Sequence, residues 1–153
     1  MNLSEKGLAL IKEFEGFRSH VYKDGIGLPT IGYGHKLMPG DTFPNGVTDG
    51  QATVLLADDT QDAVEGVNHA LKAPVKQGVF DALVSLAYNN GVHRVVASSL
   101  MQLVNAGNFD AACAQLYYTD SQGAQHGWIF AGGVIEPGLV KRRQAEQAIW
   151  RSV

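Results

Sequence analysis

The chain has 153 residues, 45% of them hydrophobic, a formal net charge of −3 and one cysteine. That length and composition suit one folded domain of ordinary size, or two small lobes sharing a long element, and exclude a disordered chain. The negative balance argues against nucleic acid as the main partner, and a lone cysteine excludes an internal disulfide. No apolar run reaches the length of a signal peptide or a membrane span, so the expectation is synthesis in the cytoplasm and no membrane insertion.

Taken in chain order, Ser4 is placed to cap a first helix over about 4–16, with Leu8, Ile11 and Phe14 on one face and Gly16 as its stop. From Phe17 to Tyr33 the periodicity changes. Turn signals at Asp24-Gly25, Gly27 and Leu28-Pro29 separate short β-prone segments, which predicts a small antiparallel sheet. Pro39 to Gly46 reads as a loop. Thr48 with Gln51 forms a capping box for a long helix to about 72, ended by Pro74. Its acidic run (Asp58, Asp59, Asp62, Glu65) reads mostly as a solvated face. Shorter helices follow over Gln77–Tyr88, from a Ser99/Gln102 capping box to Val104, over Phe109–Tyr117, where Cys113 is a small core residue, and over Leu139–Trp150. Tyr118 to Pro137 is rich in Gly, Ser and Gln and partly irregular. The fold class is α+β: an N-terminal lobe over about 14–48 with a small sheet, a linking helix over about 48–72, and a helical C-terminal lobe over 74–153 on which helix 4–16 packs.

The chemistry concentrates between Phe14 and His35. Glu15 is expected at the C-terminal end of the first helix, where the helix dipole disfavours a further negative charge, with Phe14 and Phe17 beside it. Both effects push a carboxyl group towards the protonated form that a general acid needs. Asp24, in a polar turn, is expected to stay ionised. Two carboxyl groups tuned apart suit glycoside hydrolysis. Singly, Glu15, Asp24-Gly25, Thr30 and His35 are each ordinary for a helix end, a hairpin, a strand and a polar core contact.

Together, Glu15-Gly16, Tyr22-Lys23-Asp24 and Thr30-Ile31-Gly32-Tyr33-Gly34-His35 resemble the signature of the phage-type lysozymes, glycoside hydrolase family 24, with Glu, Asp and Thr spaced nine and then six residues apart. The resemblance implies a lysozyme-like fold in a muramidase that cuts the β-1,4 bond between N-acetylmuramic acid and N-acetylglucosamine of peptidoglycan. It implies Glu15 as general acid, Asp24 activating the attacking water or stabilising the transition state, and Thr30 holding that water. It also implies that His35 orients the first lobe through an acid on the long helix, with Asp58, Asp59 and Asp62 as candidates. Tyr88-Asn89-Asn90-Gly91 and Ser98-Ser99-Leu100 look like the family's cleft-lining segment, and Phe109–Leu116 like the helix after it, which makes Tyr88, Ser99 and Gln115 substrate contacts. Trp128, Gly132-Gly133, Pro137-Gly138-Leu139-Val140 and Lys141-Arg142-Arg143 resemble the C-terminal end. Two positions depart from the pattern. Leu139 stands where the family has an arginine paired with the catalytic Glu, and Arg142, one turn on, is the candidate instead. Lys36 stands where an apolar sugar contact is expected, and is a candidate hydrogen-bonding contact to substrate. The basic residues Lys36, Lys141, Arg142 and Arg143 either offset the acidic balance locally or are simply solvated.

The five histidines show no ligand spacing, and the glycine-rich 25–34 stretch lacks a phosphate-loop signature, so neither a metal nor any other cofactor is expected. The family role further implies a monomer released by a holin to reach the wall in host lysis. A tail-associated lysozyme or an antibacterial toxin would use the same domain. A non-catalytic peptidoglycan-binding module is the competing reading, against which the intact Glu15, Asp24 and Thr30 stand. A purely structural helical domain leaves the acidic segment without a reason.

Overall fold

The computed structural model describes residues 1–152. They form two compact units: residues 11–61, and residues 1–10 with Asp62 onward. The first helix, α1 (Glu5–Glu15), begins in one unit and ends in the other. Ser4 caps it as expected, its Oγ accepting from the Gly7 amide at 3.1 Å.

In the unit of residues 11–61, α1 stops at Gly16, whose φ of 71° suits the left-handed turn that ends a helix. Three antiparallel strands follow in the order β1 (Arg18–Lys23), β2 (Pro29–Gly32) and β3 (His35–Lys36). β1 is an exposed edge, with charged Arg18 and Lys23 at its two ends. Thr30 and Ile31 of β2 are buried with Ile11, Tyr33, Val47 and, from helix α2 (Asp49–Asp59), Ala52 and Leu56. Both arms of the capping box are present at Thr48 and Gln51.

The helix expected to run from 48 to 72 is two helices. α2 ends at Thr60, and α3 (Gln61–Ala70) starts after it. Thr60 Oγ1 donates back to the Ala57 carbonyl at 2.8 Å, the local side-chain bond by which threonine competes with helix propagation.

The other unit is built on α4 (Gln77–Asn90), buried at every position from Gly78 to Ala87. Such a helix belongs at the middle of a helical core. Phe80, Leu83, Val84 and Leu86 are fully enclosed, each side chain adding roughly 1.5–3 kcal/mol. Around it lie α3, α5 (Val92–Val96), α6 (Ser99–Asn105), α7 (Phe109–Leu116) and α8 (Pro137–Arg151). A Cβ at Gly78 would lie 2.1 Å from the Ile149 carbonyl oxygen, so glycine there lets α8 approach α4 closely. The polar residues on α4 are satisfied: Asp81 accepts from the Ser4 amide and hydroxyl and from Gln77, and Ser85 donates to Glu146.

Four boundaries differ from expectation: α8, expected from Leu139 to Trp150, starts at Pro137 behind its cap Glu136 and ends at Arg151. α4 runs two residues past Tyr88 and ends at Gly91 (φ 90°). α6 is capped by Ser98, which accepts from the Met101 amide, so Ser99 and Gln102 are not a capping box. α7 stops at Leu116, because Tyr117-Tyr118-Thr119 pairs as a strand. The stretch expected to be irregular holds two antiparallel hairpins: β4 (Tyr117–Thr119) with β5 (Gln125–Gly127), and β6 (Phe130–Ala131) with β7 (Val134–Ile135).

Candidate active site

Glu15 is the last residue of α1 and is half-buried. Gly34 turns the chain beside this carboxylate: a Cβ there would make only an ordinary contact with Glu15 Oε2, at 3.7 Å, so it is the φ of 81° rather than lack of room that calls for glycine. The end of α1 is tied down by neighbours in the same unit. Lys12 Nζ stands 3.2 Å from Asp49 and 5.0 Å from the centre of the Tyr33 ring, and the Tyr33 hydroxyl donates to Asp49. Phe14 is half-buried; Phe17 is 41% exposed, its ring 5.4 Å from that of Tyr33.

Asp24 closes the turn between β1 and β2. Its Oδ1 accepts from the amides of Ile26 (3.0 Å) and Leu28 (2.8 Å), and its Oδ2 from Lys36 Nζ. Lys36 first, and then these backbone donors, hold the carboxyl below the usual aspartate range. Asp24 is thus kept ionised by three donors rather than by hydration alone. Thr30 is fully buried. Its Oγ1 donates to the Leu28 carbonyl at 2.9 Å and accepts from Lys36 Nζ at 3.2 Å. Asp24 and Thr30, expected to handle one water, and Lys36, expected apart from them as a contact to substrate, form one side-chain cluster.

His35 Nδ1 faces the Asp59 carboxylate at 2.9 Å, which selects one of the three acids considered. Its Nε2 lies 3.4 Å from Asp41. Asp41 was missed because it sits in a loop without periodicity. The only signal was a turn-forming Asp beside Pro39-Gly40, and its carboxylate accepts from the Met38 amide at 2.7 Å.

The remaining candidates lie in the other unit. Tyr88 is half-buried near the end of α4. Ser99, exposed at the start of α6, donates to Gln115 Oε1 on α7 at 2.9 Å, so two residues expected to meet sugar meet each other. Arg142 and Arg143 are not solvated: they are 4% and 0% exposed. Arg142 Nη2 is 3.5 Å from Ser85 Oγ, and Nε is 3.6 Å from Glu146 Oε1. Arg143 bonds Asn89 at 3.0 Å, Glu146 at 2.9 Å and the Trp128 carbonyl at 3.3 Å. This Ser85–Arg142–Arg143–Glu146 cluster escaped the sequence reading. Its trace is the placement of Glu146 at i+4 and i+3 from the two arginines. Among the described residues no group of three or more His, Cys, Asp or Glu is placed to hold a metal ion. Among the described residues, too, no helix is long and apolar enough to cross a membrane.

An acidic helix end beside a small antiparallel sheet, in a chain that is otherwise helices and two short hairpins, defines a lysozyme-like α+β protein. The family model for phage lysozymes matches residues 12–146. The endolysin of Bacillus phage B103 is 41% identical across 98% of this chain and 54% of its own length. The chain thus spans about half the length of that relative. The endolysin of Acyrthosiphon pisum secondary endosymbiont phage 1 is 36% identical over 99% of both chains. The muramidase domain of SpmX from Asticaccaulis excentricus shares the fold with a TM-score of 0.79 at 29% identity, covering 99% of each chain. The chain belongs to the phage lysozyme family.

Proposed function

We propose that the chain is a muramidase of the endolysin type, hydrolysing the β-1,4 bond between N-acetylmuramic acid and N-acetylglucosamine of peptidoglycan as one lysozyme domain. Glu15 is the general acid that protonates the glycosidic oxygen, and Asp24 with Thr30 handles the attacking water. The observation that carries this reading is the pairing of a half-buried carboxyl at the end of α1 with a second carboxyl held ionised by Lys36 and two amides. Such a division of labour suits acid and base chemistry on one sugar bond. Tyr88 and the bonded pair Ser99–Gln115 are proposed substrate contacts. His35 supports the sheet through Asp59.

Purified Glu15→Gln protein is expected to lose wall clearing by at least ~100-fold while keeping the parental circular dichroism spectrum. Clearing at the parental rate would overturn the assignment and leave a peptidoglycan-binding module. Mass analysis of the muropeptides should show reducing ends; anhydro ends would indicate a lytic transglycosylase. Host lysis after release by a holin, and action as a monomer, belong to the same proposal. Holin dependence is tested by expressing the chain in bacteria with and without a permeabilising agent.

A further inference from the structure

Lys36 is the residue whose expected role and observed partners differ most. It was a candidate for meeting sugar. Its ammonium bonds both members of the proposed water-handling pair, Asp24 Oδ2 and Thr30 Oγ1. The sheet itself makes this possible: Thr30 and Lys36 are direct cross-strand partners in the β2–β3 pair, so their side chains leave the same face. Asp24 is held at its other oxygen by the Ile26 and Leu28 amides, and the Leu28 carbonyl accepts a hydrogen bond from the Thr30 hydroxyl.

We infer that Lys36 is a positioning residue: one ammonium fixes the Asp24 carboxylate and the Thr30 hydroxyl in a single geometry for the attacking water and keeps the carboxylate ionised. This inference rests on Asp24 and Thr30 being the water-handling pair. The bonding supports it in detail. Thr30, which is fully buried, donates through Oγ1 to the Leu28 carbonyl and accepts from Lys36, so it braces the ammonium from the side away from solvent. Asp24 Oδ1 is filled by two amides, which leaves a lone pair of Oδ2 as the place for the proton that water gives up. A lysine at this point makes Asp24 a weaker base than a free aspartate and a more fully ionised one. The other charged groups nearby are engaged elsewhere or adjacent in sequence. On β1, Lys23 precedes Asp24, and Arg18 lies 5.0 Å from the centre of the Tyr22 ring. On β3, the two ring nitrogens of His35 face Asp59 and Asp41.

The test is a comparison of Lys36→Met and Lys36→Arg with the parent on soluble peptidoglycan fragments, following kcat and KM across pH. Lys36→Met is expected to lower kcat about tenfold or more at the parental optimum, leave KM within about twofold, and move the acid limb of the kcat profile up by about one pH unit or more. Lys36→Arg, which keeps charge and donors, should restore the limb. In an Asp24→Asn background Lys36→Met should change kcat by less than about twofold, because the group it positions is gone. A Lys36→Met enzyme with raised KM and an unmoved acid limb overturns the inference and returns Lys36 to sugar contact. An equal loss of kcat in both backgrounds also overturns it. Carbon NMR titration of Asp24 in the parent needs no variant to fold: a midpoint at or above the ordinary aspartate value overturns the inference, a lower one supports it. Failure of the underlying reading looks different, since an Asp24→Asn protein would then clear walls at the parental rate whatever Lys36 does.

Discussion

Arg143 and Glu146 stand one turn apart on α8 with both side chains fully buried and Nε 2.7 Å from Oε2, off the line of a hydrogen bond. Burial pushes the Glu146 carboxyl up and the Arg143 guanidinium down, each away from its charged form. Their mutual attraction and the Ser85 and Asn89 bonds oppose that drift. Removing Glu146 takes that carboxylate away from two buried arginines, and removing Arg143 leaves Glu146 with only the longer ion-pair contact to Arg142. Arg143→Met or Glu146→Gln is therefore expected to cost about 3–5 kcal/mol of stability, read from urea unfolding midpoints. A loss below about 1 kcal/mol would mean the pair is not the anchor of α8 on α4.

Gly78→Ala tests the same helix contact by shape. An unhindered Gly→Ala change in a helix gains up to about 1 kcal/mol. Here the new methyl would press on the Ile149 carbonyl. A net loss of about 1–3 kcal/mol is expected, and a rise in melting temperature would show that α8 can retreat freely.

Stability should fall on acidification, and the sign follows from four carboxyls. Asp24, Asp41, Asp49 and Asp120 are all held below the usual aspartate range, chiefly by Lys36, the Met38 amide, Tyr33 and His126 respectively. The unfolded chain then binds more protons than the folded one below about pH 4, so the contribution is present above that range and lost as pH falls through it. Urea midpoints measured between about pH 6 and pH 2 should drop at the acid end. Asp120→Asn, which removes the carboxylate that half-buried His126 faces, should flatten that slope; an unchanged slope in this variant would exclude Asp120 as a contributor.

Cys113 is buried on α7, and burial pushes its thiol up, away from the reactive thiolate. Ellman's reagent should react with the native protein only as fast as the protein opens, and at the rate of a free thiol in denaturant. Prompt reaction in the native state would show that α7 detaches from its core.

Much of this was legible in the sequence where a local bond decides the structure. The Thr48 capping box, the Asp24 turn and the Gly16 helix stop each depend on residues within four positions of one another. Glu15, Asp24 and Thr30 could be singled out because their spacing resembles that of a known family. Errors arose where neighbours compete or partners are remote. Ser98 and Ser99 are equally good caps by composition, and only the path of the chain from α5 chooses Ser98. The break at Thr60 turns on one threonine rotamer. Asp59 was indistinguishable from Asp58 and Asp62 as partner for His35, because all three lie in one acidic run. Arg142 and Arg143 read as surface charge, since nothing local announces that Ser85 and Asn89, more than fifty residues earlier, will receive them.

The Ser4–Asp81 contact bears on the order in which the chain can fold. Ser4 caps α1 and at the same time donates to a carboxylate 77 residues later, while Met1 reaches Asn68 across a separation of 67. The unit made of residues 1–10 and Asp62 onward is therefore discontinuous in sequence, and its closure must absorb the entropy of the intervening chain. The unit of residues 11–61 is one unbroken segment with short-range strand pairing. Closure entropy rises only with the logarithm of loop length, so the arrangement costs little in stability. It does impose a schedule on the ribosome: the start of α1 emerges well before α4, and its contact with Asp81 cannot form until α4 has been made.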